Sequence, residues 1–218
     1  MTAAPTWSIL VPTLGERRSL FERLMTGLLP QLDPYAGRVC VEVWHNNGSP
    51  ALPKIRQRMV ERTGAEYVSF VDDDDLVSPF YVAEVVTALE SRPDYVGFQV
   101  QCYSDGAPTA VAYHSLAYRR WRNLPTRYER DISHINPIRT ELARRADFSQ
   151  TRSGGAEDRV WADQLRRARV LRTEVVIPRI MYHYLYEPRS SRWREPERIM
   201  TGERSSLTHP YLTWSDSA

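Results

Sequence analysis

Four consecutive aspartates at positions 72–75 follow directly on the apolar run at residues 67–71, and no other feature restricts the possible folds as strongly. A short run rich in β-branched and aromatic residues predicts a buried strand. The aspartates are then expected where a strand leaves a sheet, the edge at which open α/β folds bind ligands. Four carboxylates within about a dozen ångströms of chain repel one another. We expect hydration or a hard divalent cation, Mg²⁺ or Mn²⁺, to relieve that repulsion, and such ions usually accompany substrate phosphates.

A solvated acidic loop is the alternative interpretation of these aspartates. Most runs of like charge lie on the surface and contact only water. Solvated loops seldom begin at the end of so apolar a strand, however. We therefore favour a ligand site, with Asp72, Asp73, Asp74 and Asp75 named together as the aspartate cluster.

The composition is that of an ordinary globular protein, with 42% hydrophobic and 26% charged residues in a chain of 218. This length suits one domain, or one domain with a substantial appendage. No run of 18 or more apolar residues occurs, and residues 1–7 lack the features of a signal peptide. We therefore expect a cytoplasmic protein without stable membrane association. Lys54 is the only lysine, and this arginine bias suits phosphate contact or reflects a GC-rich genome.

Strands and helices are predicted to alternate through the first hundred residues. The predicted strands cover residues 7–11, 39–44, 67–71 and 95–103, and the predicted helices cover residues 19–29, 53–62 and 79–90. Three strand–helix units in this order predict an α/β fold with a Rossmann-like, mostly parallel sheet flanked by helices.

The second half of the chain has a different pattern. Residues 113–130 interleave five arginines with aromatic side chains. Further helices are predicted at residues 138–146 and 156–167, with a flexible hinge at residues 153–155 between them. A strand at residues 173–177 and an aromatic cluster at residues 182–186 follow. The last thirty residues are polar and rich in arginine, with Trp193, Tyr211 and Trp214 as expected anchors against the body.

Four motifs together resemble the glycosyltransferase family 2-like group, which has the GT-A fold. They are SILVPT at residues 8–13, NNGS at 46–49, YVSFVDDDD at 67–75 and GAED at 155–158. Each motif alone is weak, but all four occur in the order and spacing of the family. The resemblance covers roughly residues 7–186 and is to compact enzymes of the bacteriophage or bacterial type.

This resemblance implies one GT-A domain at residues 1–186 and an arginine-rich tail at residues 187–218. Within the domain, residues 1–103 would form the nucleotide-sugar half, and residues 104–186 would form the acceptor half. The implied activity is that of an inverting, metal-dependent hexosyl- or pentosyltransferase, which moves a sugar from a nucleoside-diphosphate sugar to a hydroxyl group.

The resemblance also implies which residues bind the donor. Pro12 and Thr13 match the family's Pro-Thr after the first strand. Asn46 and Asn47 replace the acidic pair that the family usually has after the second strand, and their amides offer both donors and acceptors to a base. Arg56 lies where the family often has a nucleotide-contacting arginine, although a solvated cation on a helix face is an equally good interpretation.

Residues Asp72, Asp73 and Asp74 match the DXD motif, which holds a divalent cation against the donor diphosphate. Such a cation stabilises the negative charge that develops on the departing nucleoside diphosphate. The resemblance implies Asp74 as a metal ligand, Asp72 as a metal or ribose contact and Asp73 as a donor contact. Asp75 is expected to cap the following turn. His183 is a further metal candidate, with a hydrogen-bonded core histidine as the alternative.

Asp158 aligns with the catalytic aspartate of the family, and Glu157 stands beside it. An inverting transfer needs a base that takes the proton of the acceptor hydroxyl. Carboxylates in a first helical turn also stabilise the helix dipole, which is the alternative interpretation. Gly154 and Gly155 favour the catalytic role, because backbone without side chains lets an acceptor approach closely.

The acceptor is expected to contact the arginine and aromatic side chains of residues 113–130. Such side chains suit phosphate backbones and unstacked bases, so a hydroxymethylated base in phage-type DNA is the leading acceptor. The predicted contacts are Arg119, Arg120, Trp121, Arg122 and Tyr128. A cell-surface glycan or a protein is the alternative acceptor.

Two other classes of protein stay open. A sugar nucleotidyltransferase would share the phosphate-binding sheet and the acidic ligands, but it should have a phosphate loop rich in glycine and lysine, which residues 13–18 do not provide. A non-catalytic nucleotide-binding module would keep the fold and lose metal or base residues, whereas this chain has both Asp74 and Asp158.

Overall fold

A computed structural model describes residues 6–47, 49–150, 157–186 and 205–216. Within these residues, one sheet of eleven strands is flanked by helices. The predicted hinge at residues 153–155, with Gly154 and Gly155, and the predicted anchor Trp193 lie outside them. No helix in these ranges is long and apolar enough to cross a bilayer.

The strands in chain order are β1 (Trp7–Leu14), β2 (Val39–Asn46), β3 (Tyr67–Phe70), β4 (Leu76–Val77), β5 (Tyr95–Ser104), β6 (Ala107–His114), β7 (Arg122–Asn123), β8 (Tyr128–Arg130), β9 (Ile138–Arg139), β10 (Glu174–Tyr186) and β11 (Leu212–Asp216). The α-helices are α1 (Arg18–Leu28), α2 (Leu52–Arg62), α3 (Tyr81–Leu89), α4 (Thr140–Ala143) and α5 (Glu157–Ala168). The predicted strands and helices of the first hundred residues are therefore confirmed, with ends that differ by a few residues.

The sheet is mixed, and its parallel part comes from the first half of the chain. Its strand order is β11-β2-β1-β3-β9-β5-β6-β8-β7, and β10 pairs with β5 and β4. Strands β11, β2, β1 and β3 are parallel neighbours. Strand β9 is antiparallel to both β3 and β5, and β6 is antiparallel to β5. The parallel carboxyl ends of β1, β2 and β3 thus form one edge, where α/β folds place their ligands.

Two hydrophobic cores cover the two faces of this sheet. Side chains alternate between faces along a strand, so Trp7 and Ile9 of β1 enter one core while Leu10 enters the other. Helices α1 and α3 pack on the first face, and α2 and α5 pack on the second. Trp161 of α5 stacks on Phe148 with ring centroids 4.7 Å apart. This packing fixes the start of α5 against the sheet.

The prediction of one helix at residues 138–146 is wrong. Ile138 and Arg139 form β9 instead, and the helix α4 is only four residues long. Ile138 pairs with Val68 of β3 and with Tyr95 of β5, so it fills the space between two strands. The hydrogen-bonding groups of those strands gain partners in this way, and this gain outweighs the local helical pattern.

The second half of the chain also contains one long strand where two separate segments are predicted. Strand β10 spans 13 residues and joins residues 173–177 to the aromatic cluster. Its pairing with β5 shifts register near Pro178, which has no N–H to donate to the ladder.

The end of the chain packs against the domain. Strand β11 pairs in parallel with β2, and Trp214 packs on Phe21 of α1 with ring centroids 5.3 Å apart. Tyr211 packs against the first core. The predicted roles of Tyr211 and Trp214 as anchors are therefore confirmed.

Candidate active site

The aspartate cluster forms a tight turn at the end of β3, as the sequence predicts. The N–H of Asp75 donates to the carbonyl of Asp72 across this turn, at 3.1 Å. Asp75 is buried, and its carboxylate accepts hydrogen bonds from the Tyr182 hydroxyl and the Leu185 N–H, both at 2.8 Å. Asp75 therefore has the structural role that we expected, but it holds β10 against the turn and does not cap the turn that follows.

A buried arginine that the sequence interpretation missed binds two members of the aspartate cluster. The Nη2 atom of Arg17 lies 2.9 Å from Asp73 and 2.5 Å from Asp74. Asp73 also accepts a hydrogen bond of 2.8 Å from the Thr13 hydroxyl. Burial nevertheless raises the pKa of Asp73 to about 7, and burial raises the pKa of Asp74 as well. A guanidinium thus relieves part of the repulsion for which we expected hydration or a cation.

A second buried arginine links the aspartate cluster to α5. Arg56 is only 3% exposed, so it is not a solvated cation on a helix face. Its Nη2 donates to Asp72 at 2.8 Å, and its Nε lies 3.8 Å from Glu157. Burial raises the pKa of Asp72, but Arg56 and His134 outweigh this effect and hold that pKa below its ordinary value. Asp72 is therefore an ionised carboxylate at neutral pH.

His134 lies between the aspartate cluster and Asp158. Its Nε2 is 3.4 Å from Asp72 Oδ2, and its Nδ1 is 4.0 Å from Asp158 Oδ2. The ring is almost fully buried and packs against Phe70. A single histidine in the loop before β9 has no companion at a recognisable spacing, so the sequence gives no signal for this role.

The two carboxylates at the start of α5 have different surroundings. Glu157 is buried beside Arg56, whereas the Asp158 side chain is 24% exposed. Asp158 accepts a hydrogen bond of 2.7 Å from the Arg159 N–H, which fixes one of its oxygens. The other oxygen faces His134, and this more open carboxylate is the better placed of the two to meet a substrate.

A cavity of about 540 Å³ brings these groups together, and we name it the tyrosine-lined cavity. Asp72, His134, Glu157 and Asp158 line it, together with aromatic side chains from β8, β10 and the loop before β7. The aromatic residues include Trp121, Tyr128, Tyr182, Tyr184 and Tyr186. The flat apolar surfaces of this cavity can hold a ring-shaped substrate, and its carboxylates can accept a proton from a hydroxyl of that substrate.

The structure divides the predicted acceptor contacts among four places. Trp121 and Tyr128 line the tyrosine-lined cavity, and the Arg130 guanidinium lies about 5 Å from both of their rings. Arg122 instead binds the buried carboxylate of Glu129. Arg119 lines a separate groove, and Arg120 is exposed on the surface.

Four predicted donor contacts, Pro12, Thr13, Asn46 and Asn47, lie near the carboxyl ends of β1 and β2 and do not line the tyrosine-lined cavity, whereas Arg56 and Asp72 do line it. Thr13 pairs in register with His45, and Leu14 pairs with Asn46, so the ends of the two strands adjoin. Thr13 is turned toward Asp73, and the Asn46 side chain donates to the carbonyl of Pro50 at 3.2 Å. Asn47 is exposed, and Pro12 is a buried residue of β1.

The predicted metal residues are not gathered into one complete site. Asp72 and Asp74 are 24% and 25% exposed. The His183 ring lies 3.3 Å from the Ser78 hydroxyl and 3.3 Å from the Tyr103 hydroxyl, and it lines a different cavity of about 490 Å³. Among the residues that the structure describes, no three acidic, histidine or cysteine side chains form a metal-binding group.

The comparisons with known proteins support the fold. No protein-family model matches the sequence, and a search of the curated proteins finds no significant match. Among solved structures, TarS of S. aureus superposes with a TM-score of 0.58 at 15% identity, over 84% of this chain and 37% of TarS. TarS 1-349 superposes with TM-scores of 0.60 in complex with UDP-GlcNAc, at 15% identity, and 0.59 in complex with UDP, at 17% identity.

These matches cover 84% of this chain in both complexes, and 59% and 61% of TarS 1-349. The chain thus spans 37% of full TarS and about 60% of its shorter form, less than two thirds of either. TarS is a glycosyltransferase of the GT-A type. At these identities the superposition shows the fold alone, and the expected GT-A fold is confirmed.

Proposed function

We propose that this protein, which has the GT-A fold, is an inverting glycosyltransferase that uses a nucleoside-diphosphate sugar. One observation carries the proposal. The ionised Asp72, at the end of β3, and Asp158, at the start of α5, face one cavity, and His134 lies between them. The UDP-GlcNAc and UDP complexes of TarS 1-349 support a nucleotide-sugar donor.

The donor would bind at the carboxyl edge of the parallel strands. Asn46 and Asn47 lie there on β2 and just after it, next to the end of β1 that holds Thr13. Amide side chains present donors and acceptors to the edge of a base. Asp72 lies at the end of β3, the parallel strand on the other side of β1. There its carboxylate can accept hydrogen bonds from a ribose or a sugar.

Asp158 is the proposed general base. The acceptor oxygen attacks the anomeric carbon from the face opposite the phosphate, and its proton moves to the Asp158 carboxylate. The new carbon–oxygen bond forms as the sugar–phosphate bond breaks, and the bonding electrons leave with the nucleoside diphosphate. His134 Nδ1 lies 4.0 Å from the Asp158 oxygen, while Arg56 holds Glu157 in a different, buried environment.

The residues present also fit a divalent cation, which we propose as Mg²⁺ or Mn²⁺ at Asp72 and Asp74. Both carboxylates are about a quarter exposed, and hard cations of this kind usually bind one or two carboxylates and the substrate phosphates. Such a cation would stabilise charge on the departing diphosphate. Arg17 occupies Asp74 in the present arrangement, so the carboxylate would exchange this partner on binding. His183 contacts Ser78 and Tyr103 and lines the cavity of about 490 Å³, so it is not part of this proposed pair of ligands.

The tyrosine-lined cavity is the proposed acceptor site. Its volume of about 540 Å³ suits one or two rings, and Trp121 and Tyr128 offer flat surfaces for stacking. We propose a hydroxymethylated base of DNA, turned out of its stack, as the acceptor. A glycan or protein hydroxyl is the alternative, because sugar rings stack on the same side chains.

Calorimetric titration with a panel of nucleoside diphosphates, each with and without Mn²⁺, tests the donor. The matching donor sugar should then be consumed faster when hydroxymethylated DNA is added. Binding of no nucleotide under either condition would refute the glycosyltransferase proposal. Faster consumption with a glycan or a protein, and none with DNA, would keep the enzyme class and change the acceptor.

A further inference from the structure

A second concave surface, of about 690 Å³, lies at the carboxyl end of α5. Four arginines and one tyrosine line it, and we name it the arginine groove: Arg119, Arg166, Arg167, Arg169 and Tyr118. Asp131 is the only acidic residue in its lining. The formal charge of this surface is therefore 4 − 1 = +3.

The single carboxylate does not neutralise the groove. Asp131 is buried and accepts a hydrogen bond of 2.5 Å from Arg166, which also pairs with Asp163, so the free positive charge of the groove belongs to its other three arginines. Arg119, Arg167 and Arg169 are exposed and form no ion pair with any residue that the structure describes. Cations in a last helical turn stabilise the helix dipole, which accounts for Arg166 and Arg167. Arg119 reaches the same groove from the loop before β7, so the helix dipole does not explain its position.

Three segments of the chain line both the arginine groove and the tyrosine-lined cavity. Arg119 and Trp121 lie two residues apart, and one faces the groove while the other faces the cavity. In the same way, Asp131 lines the groove and Ser133, two residues later, lines the cavity. Helix α5 has Asp158 in its first turn and Arg167 in its last turn, nine residues later. At 1.5 Å per residue this separation is about 13 Å along the helix.

We propose that the arginine groove binds the phosphodiester backbone of a nucleic-acid acceptor, a few units away from the hydroxyl that receives the sugar. The inference rests on the proposed function, because it extends the acceptor site of the same enzyme. A stacked DNA strand advances about 3.4 Å per nucleotide along its axis, so 13 Å corresponds to about four stacked nucleotides. Guanidinium groups bind phosphate oxygens in a bidentate manner, and Tyr118 provides a surface for an unpaired base.

The test compares two double variants that lose the same charge. In Arg167→Gln/Arg169→Gln two cations of the groove are removed, and in the control Arg38→Gln/Arg58→Gln two exposed arginines elsewhere are removed. Binding of a labelled single-stranded oligonucleotide is followed by fluorescence anisotropy at several salt concentrations. Each lost phosphate contact should flatten the slope of log K against log salt by about 0.7. We expect a change of about 1.4 in the groove variant and no change in the control.

Equal slopes in the groove variant and the wild type would overturn the inference, and so would an equal loss in the control. Heparin that binds as tightly as the oligonucleotide, with the same dependence on Arg167 and Arg169, would show a general anion site and refute the assignment to nucleic acid. Calorimetry with the nucleoside diphosphate is run on the same proteins. If the protein binds the nucleotide but not the oligonucleotide, only the proposed role of the arginine groove is refuted. If it does not bind the nucleotide, the proposed function is refuted.

Discussion

Replacement of Arg56 by methionine should destabilise the fold strongly, because it removes the buried cation that Asp72 and Glu157 share. The guanidinium is nearly inaccessible to water, and it lies 2.8 Å from Asp72 and 3.8 Å from Glu157. Removal of one partner of a buried ion pair costs about 3–5 kcal/mol, because the remaining charge stays desolvated. His134 continues to contact Asp72, so we expect a loss near 3 kcal/mol.

Urea unfolding of the wild type, Arg56→Met, Asp72→Asn and the double variant measures this loss at pH 7. The double variant should be more stable than Arg56→Met, because the amide of asparagine is much less costly to bury than a carboxylate. Constant m-values would show that the unfolding reaction is the same in all four proteins. A loss below about 1 kcal/mol in Arg56→Met, or no recovery in the double variant, would refute the role of Arg56 as the shared counterion.

The same variants should differ in their response to pH. Asp72 has a lowered pKa in the folded wild type, so its contribution to stability is present above its unfolded pKa and is lost as the pH falls. Loss of Arg56 removes the largest influence that lowers this pKa and leaves burial opposed only by His134 and Arg17, so the pKa of Asp72 should rise. Arg56→Met should then gain stability relative to the wild type as the pH is lowered toward 4. Parallel pH profiles of the two proteins would contradict this reasoning.

Three further predictions concern the site and its surroundings. Asp158→Asn should lower kcat by about 10²–10⁴-fold and leave donor affinity unchanged in calorimetry, whereas near-normal turnover would move the base to Glu157. Asp74→Asn should abolish the Mn²⁺-dependent part of nucleoside-diphosphate binding, and unchanged metal dependence would place the cation elsewhere. Burial lowers the pKa of His114 to about 3, although its hydrogen bond to Asn136 opposes this change. Below about pH 6.5, His114 therefore becomes protonated in the unfolded chain but stays neutral in the folded protein. This histidine should therefore lower the free energy of unfolding by about 1.4 kcal/mol for each pH unit between pH 6.5 and pH 3. His114→Gln should remove this contribution to the pH dependence of stability, as measured by thermal or urea unfolding.

The sequence allowed the framework of the site to be predicted, because that framework depends on local patterns. Alternating or continuous apolar runs predicted β1, β2, β3 and β5, with ends that differ from the observed ones by a few residues. The aspartate cluster and Asp158 could be placed in this way, one at a strand end and the other in a first helical turn. Each placement needs information from fewer than about ten neighbouring residues.

The sequence did not predict β9, β11 or the divided roles of the residues between 113 and 130. Strand β9 forms because two strands that are distant in the chain leave room for it, and β11 forms because the edge of β2 is available. Arg122 has the same sequence surroundings as Arg120, yet it binds Glu129 because β7 and β8 pair in register. The local sequence gives no information about which distant strands will pair.

The sequence by itself therefore determined which residues could perform chemistry and at which edge of the sheet they lie. Only the tertiary structure decided which charges neutralise one another there. Thr13 reaches Asp73 across 60 residues of chain, His134 reaches Asp72 across 62, and Tyr182 reaches Asp75 across 107. Partners so far apart meet only after the sheet has formed, and burial then makes each of their contacts strong enough to set the ionisation of the aspartate cluster.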